Sequence, residues 1–319
     1  MCVIYTRQKK KGGMPMNKKK TAIIYSIVGA ILIGGGIGTG VVMYQFFGFN
    51  GTDYSTIDQN SIEMNMEELT KRYEKANVMS IKDAVNKFTI PELANIAIHN
   101  SESYDSMSIV ATGEVTATMN VKQSVRSYQI KKDNKYFLEQ ISHSSFVELA
   151  WRMYGDDTNT ITNKGSYVDL EEGDFSSPVS TTYTNEDFEQ AWGKGMNSSM
   201  IYIISNKTVL ETSSYELNGE TLKLSLDLHP IYSVMKYVKQ MVMTSDLGRE
   251  PTFHEVHLDL QIDKNLVLQT VDIKEVYDVQ SFGVTSKNTV GELHEVRYYD
   301  LNEDIPELTQ KLSYNKEDK

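Results

Sequence analysis

The sequence predicts an α+β fold built on one large antiparallel sheet and preceded by a single transmembrane helix. The first observation is an uncharged, apolar stretch that runs from Thr21 to Thr52. The second is a series of about eleven strand-like segments with a few helices among them and no regular alternation of strand with long helix, which is typical of α+β proteins. A sheet of this width has to curl, close or pair with a second layer.

The predicted transmembrane helix covers residues 21–50, and its apolar core extends from Ala22 to Phe47. A helix of that core length reaches ~39 Å, whereas the hydrocarbon core of a bilayer is only ~30 Å thick. Inside lipid a segment must satisfy its own backbone hydrogen bonds, and a single segment does so only as a helix. The stretch is therefore predicted to cross the membrane with some tilt.

The distribution of charge sets the predicted orientation of this helix. Residues 1–20 contain seven Lys and Arg and no Asp or Glu, and the positive flank of a membrane helix stays in the cytoplasm. Residues 53–319 are then extracellular, and they keep the other 25 of the 32 basic residues against all 43 acidic ones, a formal charge of −18. Such an acidic domain is not expected to bind nucleic acid by charge. The sequence thus predicts a single-pass protein of the bacterial cell membrane.

A cleaved signal peptide is the alternative interpretation of the apolar stretch. Signal peptides have an apolar region of only ~7–15 residues that ends in small residues. The run here is longer, and bulky aromatic residues such as Tyr44 and Phe47 lie at its end. No cysteine follows the run to accept a lipid, so a lipoprotein is supported less well still. A retained anchor is the favoured prediction.

The first fifteen residues carry a separate hypothesis about where translation begins. The run from Lys10 to Gly13 is what a purine-rich ribosome-binding site would encode, and Met16 follows at a suitable spacing. If Met16 is the start, residues 1–15 are an artefact of the start assignment, and Cys2, the one cysteine, is absent. The protein would then have neither a disulfide nor a cysteine-based metal site.

Composition divides the rest of the chain into a linker, a folded domain and a tail. A polar linker is predicted at residues 51–61, a folded domain at residues 62–306 and a polar tail at residues 307–319. Helical periodicity opens the domain. A second, short helix is predicted over Ser80–Phe88, and a third begins at Pro91, because proline is tolerated in the first turn.

Period-two patterning then predicts strands. From Met107 to Val121 every second residue is small or apolar and those between are mostly polar, which predicts a long, half-buried antiparallel strand. The acidic, Ser/Thr-rich residues 171–183 are predicted to form a loop, and a short helix is predicted from Asn185 through Trp192. Further strand-like segments in this half are Ser124–Ile130, Tyr136–Ser142, Val147–Met153 and Thr158–Thr162.

The second half of the domain repeats this pattern. Ile201–Leu217 is predicted to form one or two strands, and Asn218-Gly219 is the strongest hairpin signal in the chain. Alternating leucines follow from Leu222 to Leu228, and an amphipathic helix is predicted from Pro230. The last three predicted strands are Phe253–Ile262, Leu266–Val279 and Gly291–Leu301.

The order of these elements across roughly residues 63–305 resembles the LolA/LppX-type lipoprotein carriers, although no sequence motif matches. The resemblance implies a half-open barrel of about eleven strands with helices covering one face, and an apolar cavity for lipid chains between sheet and helices. A retained membrane span departs from that pattern, because it would stop the protein from shuttling.

The apolar residues that would line such a cavity lie on the long strand and on the helix after Pro230. Methionine is common at adaptable apolar sites because its side chain is flexible. Plain core packing is the alternative interpretation for each of these residues. The candidates are Met107, Ile109, Val115, Met119, Met235, Val238, Met241 and Val242.

The sequence offers no supported catalytic or metal site. Ser233 and Lys236 have the S-x-x-K spacing of penicillin-recognising enzymes, but the S-D-N and K-T-G partner motifs are absent. His254 and His257 are three residues apart on a predicted strand, so they point to opposite faces and cannot easily chelate one metal. We therefore expect no enzymatic activity, no metal and no cofactor.

Two functions from different classes remain. The favoured one is a membrane-anchored extracytoplasmic binding protein that holds a lipid or other apolar ligand. The alternative is a protein-interaction module of a cell-envelope assembly, which would use a sheet edge or its acidic face and bind no small ligand. An enclosed apolar cavity would favour the first, and a filled core with an exposed apolar patch would favour the second.

Overall fold

An antiparallel sheet of eleven strands is the main element of the chain. A computed structural model describes residues 49–117, 121–143, 148–167, 175–245, 247–281 and 284–308. These residues belong to one structural unit that begins at Phe49. The α+β class and the single eleven-stranded antiparallel sheet that the sequence predicts are therefore confirmed.

The sheet consists of two meanders that meet at its centre. The strand order is β6-β5-β4-β3-β2-β1-β11-β10-β9-β8-β7, so the first and last strands are neighbours in the middle and β6 and β7 are the edges. The sheet is not closed into a barrel, since β6 and β7 are not neighbours. The strands are β1 Ser106–Ala117, β2 Val121–Lys132, β3 Lys135–His143, β4 Glu148–Gly155, β5 Asn159–Tyr167, β6 Phe175–Thr184, β7 Ser214–Asn218, β8 Thr221–Asp227, β9 Leu247–Ile262, β10 Leu268–Ser281 and β11 Val284–Tyr299.

Strand β6 corrects the loop that the sequence predicts for residues 171–183. Its residues pair with β5 in antiparallel register from Thr184 inward. Pro178 lies within the strand, and proline is tolerated there because an edge strand does not need every backbone donor. The polar composition of this segment therefore marks an edge strand.

The segment before β7 corrects a second prediction. Of the predicted strand region Ile201–Leu217, only Ser214 onward forms a strand, preceded by one isolated bridge at Val209. Tyr202 and its neighbours are irregular in backbone and buried in the core. They belong to the connection that carries the chain from one edge of the sheet to the other. Their apolar character reflects burial in a connection and not strand pairing.

Five α-helices accompany the sheet in the described part of the chain. Ser80, where the second helix is predicted to begin, caps that helix, because its side chain accepts a hydrogen bond from the Asp83 N–H at 3.2 Å. The third helix starts one residue before Pro91, which occupies the first turn as predicted. The helices are α1 Met66–Ala76, α2 Ile81–Lys87, α3 Ile90–Glu102, α4 Asn185–Trp192 and α5 Met235–Thr244.

Two separate clusters of buried apolar residues hold the helices on the sheet. The first cluster joins residues of α1, α2, α3 and α5 to residues of β8, β9 and β10. The second cluster joins α4 to β4 on the other side of the sheet centre, and it comprises Trp151, Met153, Phe188, Trp192 and Met196. We call the sheet face that carries Met153 and the alternate residues of β1 from Met107 to Val115 the helix face.

None of the helices in the described ranges has both the length and the apolar content that a bilayer crossing needs. The predicted transmembrane helix at residues 21–50 lies outside the described residues except for Phe49 and Asn50. The cytoplasmic segment 1–20 also lies outside them. Anchoring and orientation therefore stay predictions.

Candidate ligand-binding cleft

The strand residues predicted to line a cavity lie on the helix face of β1. Met107 and Ile109 are buried, and Val115 is partly buried. Met119 lies outside the described residues. Neither Met107 nor Ile109 belongs to the two apolar clusters that hold the helices.

Of the four helix residues predicted to line the same cavity, three are buried and one is exposed. Met235, Val238 and Met241 are buried in the first cluster, where α5 packs against β9. Val242 is 41% exposed and faces away from that core. Plain core packing, the alternative that the sequence left open, describes the three buried residues, and the structure does not bring the strand and helix candidates together around one cavity.

A connecting segment at residues 193–200 occupies the place where that cavity was expected. Ile109 lies in register between Gln129 on β2 and Arg297 on β11. Gln129 Nε2 donates to the Met196 carbonyl at 3.2 Å, and Arg297 Nη1 donates to Ser199 Oγ at 2.8 Å. Side chains on both sides of β1 therefore hold this segment against the centre of the helix face.

The cleft on the helix face lies beside this segment, over β2, β3 and β4. Its floor contains Leu138 and Met153, which are cross-strand partners, and α4 and α5 form its walls. It has about 300 Å³ of empty volume, part of which is its open mouth, and its interior has room for about one water molecule. The lining residues are Gln129, Leu138, Met153, Phe188, Trp192, Lys194, Gly195, Met196 and Gln240.

Aromatic side chains form one wall of the cleft. Phe188 and Trp192 are four residues apart on α4, so they share one face of the helix, and their rings stack with centroids 5.4 Å apart. Trp151 meets Trp192 edge-on with centroids 5.2 Å apart. The indole Nε1 of Trp192 is buried and has no acceptor among the described residues, whereas Trp151 Nε1 donates to the Thr244 carbonyl at 3.3 Å.

Lys194 supplies the charge in the cleft. Its Nζ donates to the Ser198 carbonyl at 2.8 Å. Burial lowers the pKa of Lys194 to about 8, against the opposing effect of the Glu295 and Glu102 carboxylates. By solvent accessibility Lys194 is only partly buried, at the open side of the cleft lining.

A buried acid lies farther along the helix face. Glu275 on β10 is fully buried and accepts hydrogen bonds from Tyr202 Oη at 2.8 Å and Tyr237 Oη at 3.0 Å. Burial raises the pKa of Glu275 to about 7, although both tyrosine hydrogen bonds act to lower it. Gly291 faces it across the strands, and a Cβ there would lie only 2.8 Å from Glu275 Oε1.

Ser225, His257 and Asp227 form a series of contacts like that of a hydrolase triad, on the sheet face opposite the helices. His257 Nδ1 lies 2.7 Å from Asp227 Oδ1, and its Nε2 lies 3.3 Å from Ser225 Oγ. A hydrolase also needs free donors for an oxyanion. β8 and β9 each pair with strands on both sides, so their backbone amides are used in the sheet. The arrangement is best described as a polar cross-strand ladder.

The other sequence candidates for chemistry have structural partners. Ser233 Oγ donates to the His229 carbonyl at 2.8 Å, and Lys236 Nζ lies 3.0 Å from Glu63. His254 lies 3.2 Å from Asp278. Among the described residues, no three His, Cys, Asp or Glu side chains are grouped to hold a metal ion.

The cleft residues were visible in the sequence without being recognised as a site. Trp151 and Met153 alternate in a predicted strand, and Phe188 and Trp192 have helical spacing. An aromatic pair four residues apart, followed by Gly193-Lys194-Gly195, is the signal that could have identified them. What the sequence does not contain is the long-range information that α4 packs over β4.

Comparisons with known proteins include a likeness to a solved structure. No protein-family model and no curated protein matches the sequence. The chain is similar to the crystal structure of a LolA superfamily protein from Nitrosomonas europaea, with 11% sequence identity and a TM-score of 0.26. The match covers 69% of this chain and 96% of that chain. The element order of the sequence resembles the same group of proteins, but a likeness at this TM-score carries no conclusion about the fold, ligand or site of this chain.

Proposed function

We propose that the protein is a membrane-anchored extracytoplasmic binding protein that holds a lipid or other apolar ligand in the cleft between α4, α5 and the sheet, without catalysing a reaction. The observation that carries this proposal is the lining of the cleft. Five of its nine residues are the apolar side chains Leu138, Met153, Phe188, Trp192 and Met196, and ligand pockets are mostly apolar with a few polar groups that orient the ligand.

Ligand entry requires the cleft to widen, because its interior now has room for about one water molecule. The wall formed by α4 is only eight residues long and is held mainly by Phe188 and Trp192. Met153 and Met196 line the floor and the rim, and flexible methionine side chains adapt to ligands of different shape. Outward movement of α4 would expose an apolar channel over β3 and β4.

The two tryptophans of the chain provide a specific test. Both belong to the cluster around the cleft, so fluorescence excited selectively in tryptophan, and not in the 19 tyrosines, reports on this cluster. The full chain is reconstituted in nanodiscs of unbrominated phosphatidylcholine and titrated with dibromostearate and with its neutral methyl ester, whose bromines quench tryptophan on contact. We expect saturable quenching by at least one probe, and its absence with both probes would contradict the proposed function.

Two glutamate variants locate the binding site in the same assay. Leu138→Glu places a carboxylate in the apolar floor of the cleft and should abolish quenching, because burying an unpaired charge beside an acyl chain is costly. Val242→Glu is the matched control, since Val242 is exposed on α5. Equal quenching of both variants would place the ligand elsewhere.

A second candidate function is the protein-interaction module that the sequence left open. The supporting observation is that β7 is an edge strand of the described sheet and that its residue Tyr215 is 52% exposed. A partner strand could pair with such an edge. A photo-crosslinking amino acid at position 215 should then form protein adducts in cells, with the exposed Glu68 position as control. Equal or no adducts at the two positions would exclude this use of the edge.

A further inference from the structure

The backbone on both sides of Lys194 fixes the lysine at the cleft. Gly193 ends α4 with a positive φ of 82°, a conformation that glycine adopts without strain. A Cβ at position 193 would lie 2.4 Å from the Lys236 carbonyl oxygen, so the end of α4 packs directly on the start of α5. This close contact fixes the backbone just before Lys194, whose side chain lines the cleft.

Only one of the three donors of the Lys194 ammonium is used within the described chain. That donor binds the Ser198 carbonyl, and an ammonium has three N–H groups and no acceptor. The two nearby carboxylates have other partners, since Glu102 accepts from the Ser199 N–H at 2.6 Å and Glu295 lies 3.4 Å from Arg297. Lys194 is partly buried, and two N–H groups of its ammonium have no acceptor among the described residues, so the site is suited to an added anion.

Trp192 provides an independent observation that points to the same ligand chemistry. It is 2% exposed, lies two residues before Lys194 and lines the same cleft. Its Nε1–H is a donor without an acceptor among the described residues, and buried donors are nearly always hydrogen-bonded. The cleft therefore contains unused donors from two neighbouring residues.

We propose that the cleft selects single-chain anionic amphiphiles, whose carboxylate or phosphate head is bound by Lys194 while the acyl chain lies along Leu138, Met153 and Phe188. This inference rests on the proposed function, because it names the ligand class of the same cleft. The charged groups around Lys194 are the carboxylates of Glu102 and Glu295 and the cations of Arg297 and Lys236, of which Lys236 is paired with Glu63. The added anion gives Lys194 a direct partner of its own.

The test compares probes that differ only in the head group. Dibromostearate has a carboxylate, its methyl ester is neutral, and the corresponding lysophosphatidic acid has a phosphate. We expect Lys194→Met in the full chain to weaken the binding of the acid by about tenfold or more, as for loss of a hydrogen bond to a charged group, and to leave the ester unchanged. Lys194→Arg should retain the preference for the anion, and whichever anionic probe loses more affinity in Lys194→Met identifies the natural head chemistry.

Each other outcome has a definite meaning. Equal binding of acid and ester by the native chain would overturn the head-group site and leave the proposed function intact, whereas no quenching by any probe would overturn both. If Lys194→Met weakened the acid and the ester equally, Lys194 would have only a structural role and the inference would be wrong. Lys236→Met is the matched control, because it removes a nearby cation at the start of α5 and should not change the preference.

Discussion

Glu275 shows at the scale of one residue how the sheet accommodates a polar group on its helix face. The residue opposite it is Gly291, and any side chain there would collide with the carboxyl group. The hydroxyl groups of Tyr202 and Tyr237 satisfy its two oxygens. A carboxyl group in such surroundings is more stable in its neutral form, because burial disfavours the charged form.

The raised pKa of Glu275 predicts a pH-dependent stability. The pKa is about 7 in the folded protein and 4.5 as the reference value, so both states are protonated below pH 4.5 and the stabilisation is fully present there. As the pH rises toward 7 the unfolded chain loses this proton first, and the free energy of unfolding should fall by about 3 kcal/mol. Urea denaturation of the full chain from pH 4 to 8 measures this fall.

Glu275→Gln is the variant that isolates the contribution of this group. It keeps the size of the side chain and one acceptor oxygen, has a donor in place of the other oxygen as the protonated acid does, and cannot ionise. Its unfolding free energy should therefore change less between pH 4.5 and 7 than that of the native chain. Parallel pH profiles of the two proteins would show that Glu275 does not carry the effect.

At the scale of one element, α5 has two faces with different neighbours. Val238 is 1% exposed in the first cluster, whereas Gln240, two residues later, lines the cleft. The amphipathic pattern after Pro230 predicted a helix, which begins only at Met235. It correctly placed Met235, Val238 and Met241 on the buried face and wrongly added Val242, which is exposed. It could not predict that the buried face packs on β8–β10 instead of on β1, because periodicity identifies an apolar face and not its partner.

A pair of glutamate variants on α5 tests this assignment. Val238→Glu should destabilise the domain by about 4 kcal/mol or more, because the carboxylate is buried without a partner in a filled core. Gln240→Glu should leave the melting temperature nearly unchanged, since residue 240 is only partly buried and a carboxylate there stays in contact with solvent. Thermal melts of both variants in the full chain measure the difference. A folded Val238→Glu variant would indicate an open cavity under α5, as the sequence first suggested.

Other elements show the same division between local and long-range information. The long strand was predictable because every second residue from Met107 to Ala117 is small or apolar and the residues between are polar except Val110. Strand β6 was not predictable, because an edge strand needs few apolar residues and can contain proline. The segment around Tyr202 was predicted as strand because burial in a connection leaves the same apolar composition. The cleft is formed by elements that are distant in sequence, so the pattern of no single segment could predict it.

At the scale of the whole molecule, the helix face of the sheet has two halves with different roles. The half formed by β8, β9 and β10 is covered by α1, α2, α3 and α5 and is filled. The half formed by β3 and β4 is covered by the single short helix α4 and contains the cleft. Residues 193–200 and their contacts to Gln129 and Arg297 separate the two. We infer that a ligand can enter the second half while the first half keeps the fold stable.

The predicted topology places this entire unit outside the cell, and a cysteine-labelling experiment tests it. The chain has one cysteine, Cys2, so Cys2→Ser gives a background without thiols. Glu68→Cys adds a thiol on the exposed surface of α1, and Lys18→Cys adds one on the predicted cytoplasmic side. Because positive flanks stay inside, a membrane-impermeant maleimide should label position 68 in intact cells and position 18 only after permeabilisation. Labelling of position 68 only after permeabilisation would place the domain inside the cell and remove its access to an extracellular ligand.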